Sequence, residues 1–94
     1  MERTSIPTIF TDSDRARVTE WCMPPGSSTG MHRHEFDYVV LPKAGGTVTV
    51  TDIAGNTTTA EMVAGEPYFR EAGVEHEVMN LTNAEIVFIE LELK

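Results

Sequence analysis

The chain has 94 residues, with fifteen acidic against seven basic side chains and a net charge of −8. That length fits one domain over residues 1–94, and the acidic balance repels phosphate backbones and anionic lipid heads, so nucleic acid and membrane surfaces are excluded as partners. The single cysteine, Cys22, excludes an internal disulfide and a multi-thiolate zinc site. In chain order, the opening "MERTSIPTIF" carries no apolar signal core, and its first five or six residues are expected to be mobile. "ARVTEWCM" predicts a strand stopped by "PPG", where Pro25 and Gly26 suit a turn. The apolar run after His34 closes at Gly45–Gly46. Thr47 to Val63 reads as a β-hairpin, with Thr and Val alternating and "AGN" as the reversal. "EPYFR" ends near Gly73, "HEVMN" follows, and the polar corner "LTNAE" leads into "IVFIELELK".

No window keeps helical periodicity for ten residues, so the fold class is all-β. Seven or eight short strands broken by Gly and Pro predict a barrel or sandwich. In the last strand, Val87, Ile89, Leu91 and Leu93 share one face, while the other changes from Ile86 and Phe88 to Glu90 and Glu92. Apolar residues on both faces at one end imply either cover by another subunit or a crossing of the core. So short a domain hides only about 60–65% of the surface its unfolded chain exposes, which favours a homodimer. No stretch nears the ~18 apolar residues of a membrane span, and with the lone cysteine this predicts a soluble cytoplasmic protein.

The chain holds three histidines. His32 and His34, two apart on a strand, share a face with Cα atoms roughly 6.5 Å apart and can point at one cation. A pair alone is a weak site, since a first-row metal usually takes three or more protein donors; the remaining histidine, His76, lies beyond the hairpin. The glycines keep register with them. Five residues separate Gly26 from His32; later, seven separate Gly65 from Gly73, two separate Gly73 from His76, and three separate His76 from Asn80.

In this spacing the chain resembles the cupin family, RmlC-like jelly-roll barrels also described as double-stranded β-helices, over Gly26 to Asn80. The resemblance is to short bacterial cupins linked to amino-acid and organic-acid breakdown. It implies one divalent metal ion (Fe, Ni, Zn or Mn) held inside the barrel by His32, His34 and His76. Two positions depart from the family pattern. Where it supplies a glutamate after the second histidine, this chain has Tyr38 and Val39; the nearest carboxylate, Asp37, has outward parity and is expected at the surface or a subunit contact. Where the family usually has a proline, this chain has Glu71. The expected site is thus three histidines with open positions, and Tyr38 as an occasional ligand, a proton donor or a hydrogen bonder to the ligands.

Arg70 is a candidate clamp for a substrate carboxylate or a surface ion-pair partner. By parity, Phe36, Val40, Val78 and Asn80 should line the cavity. Trp21, Met23, Met62, Tyr68, Phe69, Met79 and Phe88 should be mostly core, and Cys22 a buried, inert thiol. Tyr38 and Arg70 are the candidate catalytic residues. Together these readings predict a metal-dependent cupin enzyme of oxygenase, isomerase or lyase type acting on a small polar metabolite or organic acid. A non-catalytic binding or sensing module and an inert dimerising scaffold are the alternatives.

Overall fold

The computed structural model describes residues 3–94. The elements are β1 (Arg3–Thr4), β2 (Ile6–Asp12), β3 (Ala16–Met23), β4 (Ser27–Ser28), β5 (His32–Arg33), β6 (Asp37–Ala44), β7 (Gly46–Asp52), β8 (Thr57–Met62), β9 (Tyr68–Arg70), β10 (Glu75–Met79) and β11 (Ile86–Leu93). Seven of them have five residues or more and β9 has three, in line with the seven or eight expected; β1, β4 and β5 are two-residue bridges. There is no helix among the described residues, and so none that could cross a membrane.

Two sheets enclose the core. One runs β1-β4-β10-β7-β8 with β5 also on β10, and the other runs β2-β3-β11-β6-β9. The hairpin forms where the alternation placed it, with Thr49 opposite Thr59 and Thr51 opposite Thr57. Its reversal is fixed by Asp52, whose Oδ1 accepts from the backbone N–H of Ala54 and of Asn56 at 2.9 Å each. These backbone donors hold the Asp52 carboxyl below its ordinary range. On β6, Pro42 stands where the register against β11 slips between Val87 and Phe88, a place where a missing N–H disturbs the ladder least.

Inward parity gives a core of Met23, Val40, Val48, Met62, Val78, Ile86 and Phe88, with Tyr38 buried among them. Two expectations are corrected. The N-terminal segment is tied down: β1 pairs parallel with β4, Ser5 is buried, and its N–H donates to Ser28 O at 2.9 Å. An extended chain beside an unfilled sheet edge finds backbone partners there; Met1 and Glu2, part of the segment expected to be mobile, lie outside the described residues. Phe69 is half exposed, because the inward positions of β9 belong to Tyr68 and Arg70. Met79, likewise outward on β10, and Cys22, outward on β3, are only half-buried.

β11 resolves the mixed pattern of its sequence. Ile86, Phe88, Glu90 and Glu92 all face inward and are buried, while Val87, Ile89 and Leu91 are half-buried on the outer face.

Candidate metal centre

Strand β10 assembles the site. Its antiparallel pairing with β5 sets His76 directly opposite His32, and directly opposed residues send side chains to the same side about 5 Å apart. His34 follows β5, where its N–H donates to Val74 O at 2.9 Å and its carbonyl accepts from Gly73 N at 2.8 Å. Gly73 has φ of 97°, a left-handed conformation that a side chain would strain, so this glycine lets the turn into β10 reach back to His34.

The three rings stand nearly perpendicular to one another, at 80°, 76° and 89°, with centroids 4.7, 4.8 and 5.1 Å apart. Nε2 of His34 lies 3.0 Å from Nε2 of His32 and 3.2 Å from Nε2 of His76. Donors ~2.1 Å from a shared ion sit ~3.0 Å apart at a right angle and ~3.4 Å apart at a tetrahedral angle, so these two spacings suit one ion, and the ligand atoms of all three histidines lie within 4.8 Å of one another. His32 Nδ1 is 2.9 Å from Gly30 O, an acceptor, so this nitrogen carries the proton and Nε2 keeps its lone pair. Burial first, and then the neighbouring imidazoles, hold His34 and His76 down to about 4, so both are neutral donors at pH 7.

The substitutes for the family glutamate fall as follows. Tyr38 is 3% exposed and stacks on His34, ring centroids 4.0 Å apart and planes at 18°. Burial, then the charge of Glu90, pushes its hydroxyl up to about 12, so it stays protonated. Asp37 faces outward, as its parity required, and accepts from Ala72 N at 2.8 Å, which fixes the loop before Gly73.

Glu90 escaped the sequence reading. It lies opposite Val40 on β6, is 9% exposed, and places Oε1 3.9 Å from His34 Nδ1, on the side of the ring away from Nε2. Burial, then Glu92, raises its carboxyl to about 7 despite Arg17 nearby. Glu92 itself is gripped by Arg17, Nε to Oε1 and Nη2 to Oε2 at 2.8 Å each. The missed signal was the parity of β11: acids at positions in step with Ile86 and Phe88 must enter the interior with them.

The site opens into a cavity of about 260 Å³. The histidines, Tyr38 and Glu90 form its polar side, and core residues such as Val48, Met62 and Phe88 its apolar side. Val40 and Val78 line it as expected. Phe36 and Asn80 do not, because strand alternation lapses between β5 and β6, and because Asn80 turns to the corner after β10, where its amide donates to Met23 O and Ala84 O. Arg70 lines the cavity from an exposed position, its guanidinium 4.5 Å over the Tyr68 ring and Nη1 donating to Phe69 O at 2.9 Å. Cys22 lies on the outer face of β3, its thiol pushed up by burial and then by Glu20 and Glu85, which disfavours the reactive thiolate.

No family model matches the chain. It is 47% identical over 90 residues to the β-alanine degradation protein BauB of Pseudomonas aeruginosa, covering 96% of this chain and 94% of that protein. A cupin domain from Bordetella pertussis superposes with a TM-score of 0.95 at 42% identity, covering 100% of this chain and 97% of the other. An RmlC-like cupin with a double-stranded β-helix fold, from Methanocaldococcus jannaschii, matches in fold with a TM-score of 0.77 at 12% identity, over 97% and 81% of the two chains. With this fold, the two-motif histidine spacing, and relatives so similar over nearly its whole length, the chain belongs to the cupin family.

Proposed function

We propose that this cupin is a metal-dependent enzyme acting on a small organic acid, with His32, His34 and His76 holding one divalent ion. The observation that carries the reading is the convergence of three histidine nitrogens on the polar side of a partly open cavity. Bound there, iron, nickel, zinc or manganese supplies Lewis acidity and, for a redox-active ion, electron transfer to or from substrate and dioxygen.

The chain's own residues restrict what reacts. A volume near 260 Å³ equals roughly eight or nine waters at liquid density, the space of a metabolite with a few carbons. Arg70 on the exposed side takes a carboxylate through its fork of N–H donors, while the apolar wall receives the carbon skeleton and excludes water. Tyr38 keeps its proton at pH 7 and acts as an O–H donor; Glu90, with its carboxyl near 7, holds or accepts a proton behind His34. The similarity to a protein named for β-alanine degradation supports a short amino or oxo acid as the substrate class.

A binding or sensing module is the second reading, favoured by one observation: Glu90 lies on the Nδ1 side of His34, away from the point where the nitrogens converge. The test is elemental analysis of untagged protein, followed by incubation of metal-loaded protein with three- to five-carbon oxo and amino acids, with and without air. The enzyme reading expects about one ion per chain, its loss in His34→Ala and His76→Ala, and product in the wild type alone. Stoichiometric ligand binding with no product transfers the site to the second reading. Unchanged metal content in both variants removes it.

A further inference from the structure

Two acids of β11 enter the interior, and only one of them is held. Glu92, 8% exposed, is gripped by Arg17 through both carboxylate oxygens. Glu90, 9% exposed, has no hydrogen-bond partner among the described residues; the basic nitrogen nearest it, His34 Nδ1, is 3.9 Å away, past hydrogen-bond reach. The His34 ring is neutral when Nε2 keeps its lone pair for a metal, so it offers Glu90 no positive charge either. A buried carboxylate without a partner is costly, and in a native fold it points to a partner that arrives from outside the chain. Two cavities give that partner access. Glu90 borders both the cavity of about 260 Å³ and a polar recess of about 420 Å³ whose wall includes Arg17, Arg33, Glu35 and Glu92. Trp21 borders both as well and presents an aromatic ring beside the acid.

We infer that Glu90 binds the ammonium group of the substrate, and that the substrate is a short amino acid whose amine sits at the far end of the chain from its carboxylate. The inference rests on the metal-dependent small-acid reading above and selects within it, because an oxo acid has no cation to offer Glu90. Arg70 fixes the other end. It borders the same cavity from β9, and β6 lies between β9 and β11. Two strand spacings of ~4.8 Å set the two backbones roughly 10 Å apart, so a ligand that meets both side chains carries its charges at opposite ends. An α-amino acid, with both charged groups on one carbon, does not span that gap. In the bound state the carboxylate accepts from the Arg70 guanidinium, the ammonium donates to Glu90, and the Trp21 ring adds cation–π attraction. Because Arg17 neutralises Glu92, one free carboxylate faces one ammonium. A dicarboxylic acid of the same length meets Glu90 with a like charge and is rejected.

Isothermal titration calorimetry of zinc-loaded protein tests this, with 4-aminobutanoate, butanoate and 2-aminobutanoate as probes. A charge-assisted hydrogen bond made in a buried site corresponds to at least about tenfold in affinity, so 4-aminobutanoate should bind at least that much tighter than either of the other two. This comparison needs no variant. In Glu90→Gln, with zinc content and β-type circular dichroism unchanged, the advantage of 4-aminobutanoate should shrink to within about threefold while butanoate binds as before. Equal affinity of wild type for butanoate and 4-aminobutanoate overturns the inference and leaves the metal-dependent reading standing. A Glu90→Gln variant that weakens all three acids alike assigns Glu90 to the support of His34 alone, and also overturns it. Failure of the protein to hold zinc, or to bind any of the three acids, removes the metal-dependent small-acid reading and this inference with it.

Discussion

Glu90 shows how a single buried acid shapes the pH response of the site. In the ion-free protein, His34 and His76 titrate near 4 against an ordinary 6.5, so between those values the unfolded chain binds more protons and stability rises with pH. Glu90 titrates near 7 against 4.5, so over that window the folded chain binds more protons and stability falls with pH. Two histidines outweigh one carboxyl up to about 6.5, after which only the falling contribution remains. Glu90→Gln removes that contribution. The urea-derived stability of the variant, measured relative to wild type, should therefore climb from pH 4.5 to pH 7.5, by on the order of 2 kcal/mol. A pH-independent difference would show that Glu90 is solvated in solution and not lodged behind His34.

Among the elements, β10 joins site and scaffold. Its start carries His76 against His32 and its end delivers Asn80, which is fully buried. The Asn80 amide donates to Met23 O and Ala84 O at 2.8 Å each, while Oδ1 accepts from Thr82 N at 3.0 Å and Thr82 Oγ1 at 2.7 Å. Truncation leaves the carbonyl of buried Met23 without this donor and breaks the part-buried bonds to Ala84 and Thr82. Asn80→Ala should cost about 2–4 kcal/mol in urea unfolding, and metal affinity measured on the folded variant should change less than in His76→Ala. A loss under 1 kcal/mol would mean that water replaces the amide. Asn80 was visible in the sequence as the last residue of the second motif, but parity assigned it to the cavity; the corner that follows β10 turns it to the scaffold instead.

At the scale of the whole molecule, an ion that binds only the folded chain couples the site to stability. At a free concentration 100 times its dissociation constant, the ion adds about 2.7 kcal/mol, or roughly 10–20 °C in Tm for a domain of this size. Wild type titrated with zinc, nickel, manganese or ferrous iron should show that rise for at least one of them, and His34→Ala and His76→Ala should not. No shift with any ion would leave the histidine cluster a purely structural feature.

The strands, the hairpin and the likeness of the histidine and glycine spacing to the cupin pattern were all legible along the chain, because alternation and turn chemistry are local properties. The outward face of Asp37 and the buried place of Tyr38 were legible for the same reason. Three things were not. Glu90 reaches His34 only because β11 is inserted between β3 and β6; the N-terminal segment is ordered only because β4 offers it a partner; and Arg70 meets the cavity only because β9 pairs at the sheet edge. Local sequence sets which face a side chain takes within its own strand. Which strands lie beside one another, and hence which charges meet in the interior, is set by long-range pairing, and that decided the surroundings of the three histidines.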